Sequence, residues 1–241
     1  MMYIAKTFLG DSVNKRLGPV VAKLFTINDR AIRGTLLQSI TFLTEELDKN
    51  TLNQAVFEPA CSGFSDSSAT LRELTLKATL ELVPKLSQPN IEKLSRYLVR
   101  LQTDPESGIR TNTVIVFNKI APHMTEVSRQ KMLLTAFIRA MKDPFVPCRL
   151  SALKCTLKSK EFFSPVELSS KVLPAVTPHL LDGVRDVRKE AFAVVDDLLF
   201  FLRQESERMI DAQPQAPSGQ APMNSSSSHQ PRGAAPPPTK A

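Results

Sequence analysis

The sequence predicts an all-α fold: an α-solenoid of about five helical hairpins, followed by a disordered C-terminal tail. One observation is a repeat of about 40 residues, the length of a helical hairpin in such solenoids. Another is the apolar patterning within each repeat, where apolar residues recur every three or four positions, as on one face of a helix. The last is a change of composition near the C-terminus, where proline and serine replace the large apolar residues that a core needs.

An arginine occupies the same position in every repeat. The intervals between successive members differ by at most one residue, and the set is Arg33, Arg72, Arg110, Arg149 and Arg188. The residue before each arginine and the fourth residue after it are apolar, which places each arginine on a helix with one apolar face. An aspartate six residues ahead of the last four arginines predicts a turn and a helix start, at Asp66, Asp104, Asp143 and Asp182. The first repeat departs from this pattern, because Asp29 lies only four residues ahead of Arg33.

Proline and capping signals set the repeat boundaries, which we place at 11–47, 48–86, 87–124, 125–163 and 164–204. Pro19 and Pro174 precede the arginine of their repeat by the same interval, within an apolar helix, and predict a kinked first helix. Pro84 and Pro122 also share one position, after the arginine of their repeat, where the second helix should end. Ser164, Pro165 and Glu167 form a capping box that begins the fifth repeat.

The two ends of the chain lie outside the repeats. Residues 1–10 are expected to be a leader or the remnant of a preceding segment, because their apolar residues have no earlier segment to cover them. Residues 205–241 are expected to form a disordered Pro/Ser-rich tail. From Gln213 onward, large apolar residues are too few to offset the entropy lost on ordering.

Several strings within the repeats carry a more specific resemblance. Residues 172–199, VLPAVTPHLLDGVRDVRKEAFAVVDDLL, resemble a HEAT repeat throughout, with proline in the first helix and aspartate in the turn. Other strings resemble the HEAT region of the Scy-like pseudokinases, the family of the N-terminal kinase-like protein: LGPVVAKLFTINDRAIRGTLLQSITFL, FSDSSATLRELTLKATLELVPKL, IRTNTVIVFNKIAPHM and FIRAMKDPFVPCRLSAL. The resemblance extends from about residue 12 to residue 204.

This resemblance implies a noncatalytic adaptor in coat-mediated (COPI-type) vesicle traffic from the Golgi to the endoplasmic reticulum. Such an adaptor would be cytoplasmic, peripheral at these membranes, and bound to coat or Golgi trafficking components. A related branch of the family is associated with tRNA export from the nucleus, so a tRNA-binding export adaptor is the alternative. A second alternative is a regulatory fragment of a kinase-like protein, because full-length family members carry a pseudokinase domain that this sequence lacks.

Two sets of charged residues are candidates for a role. We expect the arginines and turn aspartates to form a structural arginine–aspartate ladder of charge-assisted hydrogen bonds along the solenoid. Positive charge is also concentrated between residues 93 and 160, with thirteen basic and four acidic residues, a net charge of +9 against +7 for the whole chain. The candidate basic interaction face is taken from this region, at positions with helical spacing: Lys93, Arg96, Arg100, Lys154 and Lys158.

A solvated surface is the simplest interpretation of this basic face. The alternatives are contact with an acidic protein, an anionic membrane surface or RNA. Only Tyr97 and Phe145 lie near it as aromatic residues that could stack on bases, so we expect RNA or tRNA binding to be weak.

Sites for chemistry are missing from the sequence. It contains no nucleotide-binding, kinase, zinc-protease or hydrolase motif, and its three histidines are dispersed. The three cysteines, Cys61, Cys148 and Cys155, form no CxxC pair and are expected to be buried thiols. We therefore predict no enzyme activity, no catalytic, cofactor-binding or metal-binding residue, no small-molecule substrate and no transmembrane segment.

Overall fold

The computed structural model describes the backbone of residues 10–27 and 29–211, and side chains from residue 16 to residue 210 within those ranges. The described residues form helices and short turns without any strand, which confirms the all-α solenoid. The leader predicted at 1–10, apart from Gly10, and the tail from residue 212 onward lie outside the described residues.

The second helix of each repeat carries the repeat's arginine. In repeats 2 to 5 it is one α-helix: α6 (Ala69–Leu82), α8 (Ser107–Ile120), α11 (Val146–Lys158) and α14 (Arg185–Asp211). Repeat 1 instead has two helices, α2 (Arg30–Gln38) and α3 (Ile40–Glu46), on either side of Ser39. The 3-10 turns Val83–Lys85 and Ala121–His123 follow α6 and α8, so each helix ends two residues before the predicted proline, Pro84 or Pro122, and that proline lies in the turn.

The first helices differ from one repeat to the next. In repeats 1 and 3 they are continuous, as α1 (Gly10–Thr26) and α7 (Gln88–Leu101). In the other repeats a π-helical turn interrupts the α-helix. Repeat 2 has α4 (Lys49–Thr51), the π turn Leu52–Val56 and α5 (Phe57–Cys61). Repeat 4 has α9 (Glu126–Ser128), the π turn Arg129–Leu133 and α10 (Leu134–Met141); repeat 5 has α12 (Pro165–Glu167), the π turn Leu168–Val172 and α13 (Leu173–Val176).

These π turns account for the uneven spacing of the arginines. Because a π turn hydrogen-bonds across five residues instead of four, it accommodates one inserted residue without ending the helix. The three π turns begin at the same position relative to the arginine of their repeat, and each lies in one of the longer intervals between arginines. The interval from Arg72 to Arg110 is one residue shorter, and it contains the uninterrupted α7. The extra residue is thus absorbed within the first helix, and the arginine keeps its place.

The start of the fifth repeat has the predicted capping geometry. Ser164 Oγ accepts a hydrogen bond from the backbone N–H of Glu167 at 3.2 Å, and the Glu167 carboxylate accepts from the backbone N–H of Ser164 at 3.1 Å. Pro165 is the first residue of α12, where its missing N–H is not needed. Pro19 lies inside α1 and Pro174 lies inside α13.

The last helix extends further than the sequence predicted. We placed the end of the fifth repeat at residue 204, but α14 continues through Asp211. The reason is local, because residues 205–211 contain no glycine or proline and hold an ion pair between Arg208 and Glu205. This part of the predicted tail is therefore helical.

The core lies between the layer of first helices and the layer of second helices. Within the second layer the helices contact one another in series, from α2 and α3 through α6, α8 and α11 to α14. Four phenylalanines are among the fully buried side chains, namely Phe25, Phe57, Phe117 and Phe137. All three cysteines are free and buried, as predicted, and burial raises the pKa of the Cys155 thiol to about 11. The core is thus built from aliphatic, aromatic and thiol side chains.

Leu153 tests this arrangement, because it is fully buried in the second helix of repeat 4. We expect Leu153→Ala to lower the free energy of unfolding by about 2 to 5 kcal/mol, through lost apolar burial and the cavity left behind. Urea unfolding followed by circular dichroism measures this change. The exposed neighbour Lys154 supplies the control, Lys154→Ala, which should change stability little. Equal effects of the two substitutions would show that the helix register is wrong.

Candidate functional site

The ladder arginines join each repeat to the following one. Arg110 Nε and Nη2 donate to the two carboxylate oxygens of Asp143, at 2.7 and 3.0 Å. The same bidentate contact, with distances from 2.7 to 3.0 Å, occurs in the pairs Arg72–Asp104 and Arg149–Asp182. Each aspartate belongs to the turn of the next repeat. Because a bidentate guanidinium–carboxylate pair fixes orientation as well as distance, each contact sets how two repeats stack.

The third guanidinium nitrogen of each arginine holds the turn of its own repeat. Arg110 Nη1 donates to the backbone carbonyls of Asp104 and Pro105, at 2.9 and 3.2 Å. A backbone group of the same turn also orients each aspartate. At Asp143, Oδ1 accepts a hydrogen bond from the backbone N–H of Phe145 at 2.8 Å. One arginine thus connects two turns, and each turn presents its carboxylate in a set orientation.

The two partners shift each other's pKa. Arg110 lowers the pKa of the Asp143 carboxyl through the side-chain hydrogen bond, and the backbone N–H of Phe145 acts in the same direction. The Asp143 carboxylate in turn raises the pKa of Arg110. Both side chains are largely buried, so water screens the pair only weakly.

The ladder changes at its two ends. In repeat 1, Arg33 Nη1 makes one contact with Asp66, at 3.3 Å, and its Nε is buried without a hydrogen-bond partner. Asp29 instead caps α2, where its Oδ1 accepts from two backbone N–H groups. In repeat 5, Arg188 holds its own turn through the carbonyl of Asp182 at 2.7 Å. Among the residues that the structure describes, no carboxylate pairs with Arg188.

Lys93, Arg96 and Arg100 lie on α7, in the layer of first helices. They line a surface pocket together with Glu58 and Tyr97. Lys93 Nζ lies 3.0 Å from Glu58 Oε2, and the Tyr97 hydroxyl donates to Glu58 Oε1 at 3.1 Å. Lys93 is the main cause of the lowered pKa of Glu58. Within the described part of the chain, Arg96 and Arg100 are exposed and form no ion pair.

Lys154 and Lys158 lie on α11, in the layer of second helices, so the candidate basic residues are divided between the two layers. The helix α8 packs against both α7 and α11, and a surface groove between α6 and α8 contains Ile115 and Lys119, the repeat-3 equivalents of Lys154 and Lys158. Helical spacing places residues on one side of one helix, but it does not tell which layer that helix joins. The five residues therefore form two surfaces: the α7 face (Lys93, Arg96, Arg100) and the α11 face (Lys154, Lys158).

The first-helix layer has further exposed cations that the helical spacing did not single out. They follow α7 by about one repeat, and they are Lys131, Arg139 and Lys142. Arg139 occupies in repeat 4 the position that Arg100 occupies in repeat 3, so the repeat phase could have identified it. Other cations of the 93–160 region have internal partners: Arg129 lies 4.8 Å from the centre of the Phe162 ring, and Lys160 pairs with Asp197.

A metal site and a membrane-spanning helix are both absent from the described residues. No group of three or more histidine, cysteine or acidic side chains there could hold a metal ion. None of the described helices has both the length and the apolar character required to cross a membrane.

No family model matches the chain. The chain is 32% identical over 215 residues to the probable inactive serine/threonine-protein kinase scy1 of Dictyostelium discoideum, which covers 89% of this chain and 26% of that protein. It is 32% identical to the protein kinase domain-containing protein ppk3 of Schizosaccharomyces pombe, over 78% of this chain and 30% of the relative. It is 34% identical to cytoplasmic export protein 1 of Saccharomyces cerevisiae, over 78% of this chain and 25% of that protein. The chain thus spans less than a third of each of these relatives.

Solved structures show the same repeat architecture. The crystal structure of Cex1p superimposes with a TM-score of 0.76 at 31% identity, covering 86% of this chain and 39% of that chain. A designed armadillo repeat protein in complex with the peptide (KR)4 has a TM-score of 0.54 at 16% identity, covering 80% of this chain and 87% of that chain. The second likeness concerns the fold alone.

The ladder predicts a specific pH dependence for the variant Asp143→Asn. The pKa of Asp143 is lowered in the folded chain, so its contribution to stability is present above about pH 4, the ordinary aspartate value, and is lost as the pH falls through the folded pKa. We therefore expect the variant to be less stable than the parent at pH 7, and the difference to shrink below about pH 4.

Urea unfolding at several pH values between 7 and 3 measures this difference. The control is Asp186→Asn, because Asp186 is exposed and lies outside the ladder. If the difference between the parent and Asp143→Asn stays constant over the whole pH range, the carboxylate does not stabilise the repeat junction.

Proposed function

Because this chain belongs to the Scy1-like family of inactive kinases, we propose that it is a noncatalytic adaptor of coat-mediated (COPI-type) vesicle traffic from the Golgi to the endoplasmic reticulum. It would act at the cytoplasmic side of these membranes and bind coat or Golgi trafficking proteins through its repeats. Stacked repeats of this kind present extended surfaces for partners rather than an enclosed catalytic cleft.

The observation that carries the adaptor function is the continuous ladder. Three bidentate contacts, at Arg72, Arg110 and Arg149, join repeats 2 to 5. The outer surfaces of the two layers are consequently held in a set geometry over four repeats. A partner that contacts several repeats would find its contact points already in place, which reduces the entropy lost on binding. The pathway itself comes from the family resemblance.

A tRNA-binding adaptor for nuclear export is the alternative, and the charge of the first-helix layer favours it. Arg96, Arg100, Lys131, Arg139 and Lys142 are exposed on α7, on α10 and at their flanks, and they could neutralise phosphates. Base stacking has less support, because the Tyr97 ring already stacks on Phe64 at a centroid distance of 5.3 Å. We therefore expect RNA contacts to be electrostatic and weakly selective.

A regulatory role within a longer kinase-like protein is the second alternative. It is favoured by length, since the relatives extend well beyond the region that this chain matches. In that case the repeats would act on a kinase-like domain of the same protein, and partner binding would modify that domain.

Proximity labelling in cells distinguishes the first two functions. The full chain fused to a labelling enzyme should enrich coat and Golgi proteins over the labelling enzyme alone, because an adaptor stays within labelling distance of its partners. Enrichment of nuclear-pore and tRNA-synthetase proteins instead would contradict the trafficking proposal and support the export function. A double variant of the α7 face, Arg96→Glu with Arg100→Glu, tests whether that face is needed for the enrichment.

Charge reversal on the two faces tests the RNA alternative. Arg96→Glu with Arg100→Glu alters the α7 face, and Lys154→Glu with Lys158→Glu alters the α11 face by the same charge. If tRNA phosphates bind the first-helix layer, only the first pair should greatly weaken binding, because long-range electrostatics change equally in both. Fluorescence anisotropy against labelled tRNA, repeated at several salt concentrations, gives the affinity and its salt slope, which is about −0.7 to −0.9 per phosphate.

We expect weak tRNA binding by the parent chain, lost in the α7-face variant. Equal losses in both variants would argue against a defined RNA surface. Tight, tRNA-selective binding at physiological salt would favour the export adaptor over the trafficking adaptor.

A further inference from the structure

The position four residues after each ladder arginine is covered by the next repeat. It is at most 1% exposed in repeats 1 to 4, at Leu37, Leu76, Val114 and Leu153. These residues face the second helix that follows: Leu37 shares a crevice with residues of α6, Leu76 with residues of α8, and Val114 with Cys148 of α11. The equivalent residue in repeat 5, Phe192, is 52% exposed.

Further exposed apolar residues follow Phe192 along α14. Seven residues after this position, repeats 2 and 3 have Val83 and Ala121, which are 3% and 0% exposed and begin the turns after α6 and α8. Repeat 4 has the partly exposed Lys160 there. The equivalent residue of repeat 5 is Leu199, which is 50% exposed, and the adjacent Phe200 is 62% exposed. Residues seven apart share a helix face, so Phe192 and Leu199 lie on one outer side of α14, with the exposed Asp196 between them. The apolar position that packs against the next hairpin in the inner repeats is therefore present on α14, at Phe192, and uncovered.

Arg188 adds a polar requirement to this surface. In repeats 2 to 4 the Nε and Nη2 atoms of the arginine bind the turn aspartate of the next repeat, while Nη1 binds the arginine's own turn. Among the described residues, Arg188 makes the Nη1 contacts alone, with the carbonyls of Asp182 and Gly183. Within the described residues its remaining donors have no carboxylate partner, and they lie at the same end of the solenoid as Phe192.

The sequence that follows α14 offers no carboxylate side chain for Arg188. Residues 212–241 contain no aspartate or glutamate, and Met223 is their only large apolar side chain. A second copy stacked in the same orientation also lacks the carboxylate, because the position six residues before Arg33 is Ile27. Asp29, the nearest aspartate, already accepts from the N-terminal backbone of α2.

We propose that the uncovered end formed by Arg188, Phe192 and Leu199 docks a helical hairpin of a partner protein whose inter-helix turn carries an aspartate. The occupant would continue the interface that joins repeats 2 to 5, which occurs three times along the chain. Its helices would cover the exposed apolar residues of α14, and its turn carboxylate would receive Nε and Nη2 of Arg188, as Asp182 receives those of Arg149. This inference goes beyond the adaptor function and does not depend on the pathway.

Photocrosslinking tests the proposal with the full chain in cells. The photoreactive probe p-benzoylphenylalanine replaces Phe192, and the matched control carries it in place of Val127, an exposed apolar residue of the first-helix layer. Mass spectrometry maps the peptide joined to position 192. We expect a segment of another protein that forms a helical hairpin with an aspartate at the start of its second helix, absent from the control.

A charge swap then tests the role of Arg188. Arg188→Asp should reduce the position-192 crosslink at least tenfold, and exchanging the partner's turn aspartate for arginine should restore it. Circular dichroism checks that Arg188→Asp remains folded; if it does not, Leu199→Asp, at a half-exposed position, should reduce the crosslink in its place.

Crosslinks to residues 212–241, to a second copy of the chain or to no protein would overturn the proposal. A crosslinked segment without an acidic turn, or a crosslink unchanged in the charge-reversed chain, would overturn it as well.

Discussion

The bidentate contact between an arginine and the turn aspartate of the next repeat is the constraint on which the stacking depends. Arg110 is one example, since its guanidinium binds both oxygens of Asp143 and also two carbonyls of its own turn, as Arg72 and Arg149 do at theirs. Removing either partner would leave a largely buried charge without its counterpart, a change that typically costs about 3 to 5 kcal/mol. The net gain over an apolar pair is much smaller. The ladder therefore acts mainly by selecting one register between repeats.

The first helices adapt to that register. An extra residue in an α-helix rotates everything that follows by about 100 degrees and would turn an arginine away from its partner. The π turns at Leu52–Val56, Arg129–Leu133 and Leu168–Val172 absorb this residue locally. Repeat 3 has one residue fewer and keeps a continuous α7. The one-residue difference between the arginine intervals is thus taken up in the first helices, and the contacts from Arg72, Arg110 and Arg149 keep the same geometry.

Periodic features of this chain could be predicted from sequence, whereas features that depend on a neighbour could not. The arginine phase indicated five hairpins, and Pro84 and Ser164 marked helix boundaries because capping and proline effects are local. The partner of Lys93 is Glu58, 35 residues earlier, and no local pattern indicates that pair. Lys154 is different, because it lies five residues after Arg149, and the repeat phase alone places it on a second helix.

The C-terminal end of the solenoid differs from an ordinary terminal repeat. A repeat array needs terminal repeats with polar outer faces if water is to cover them. Repeat 5 instead keeps two features of an inner repeat: its arginine holds its own turn as the inner arginines do, and Phe192 occupies the position that Leu153 fills one repeat earlier. Half-exposed aromatic side chains on a regular helix cost solvation free energy unless another surface covers them. The last hairpin therefore has the side chains of a junction, and an adaptor can use such a junction without disturbing the α7 or α11 face.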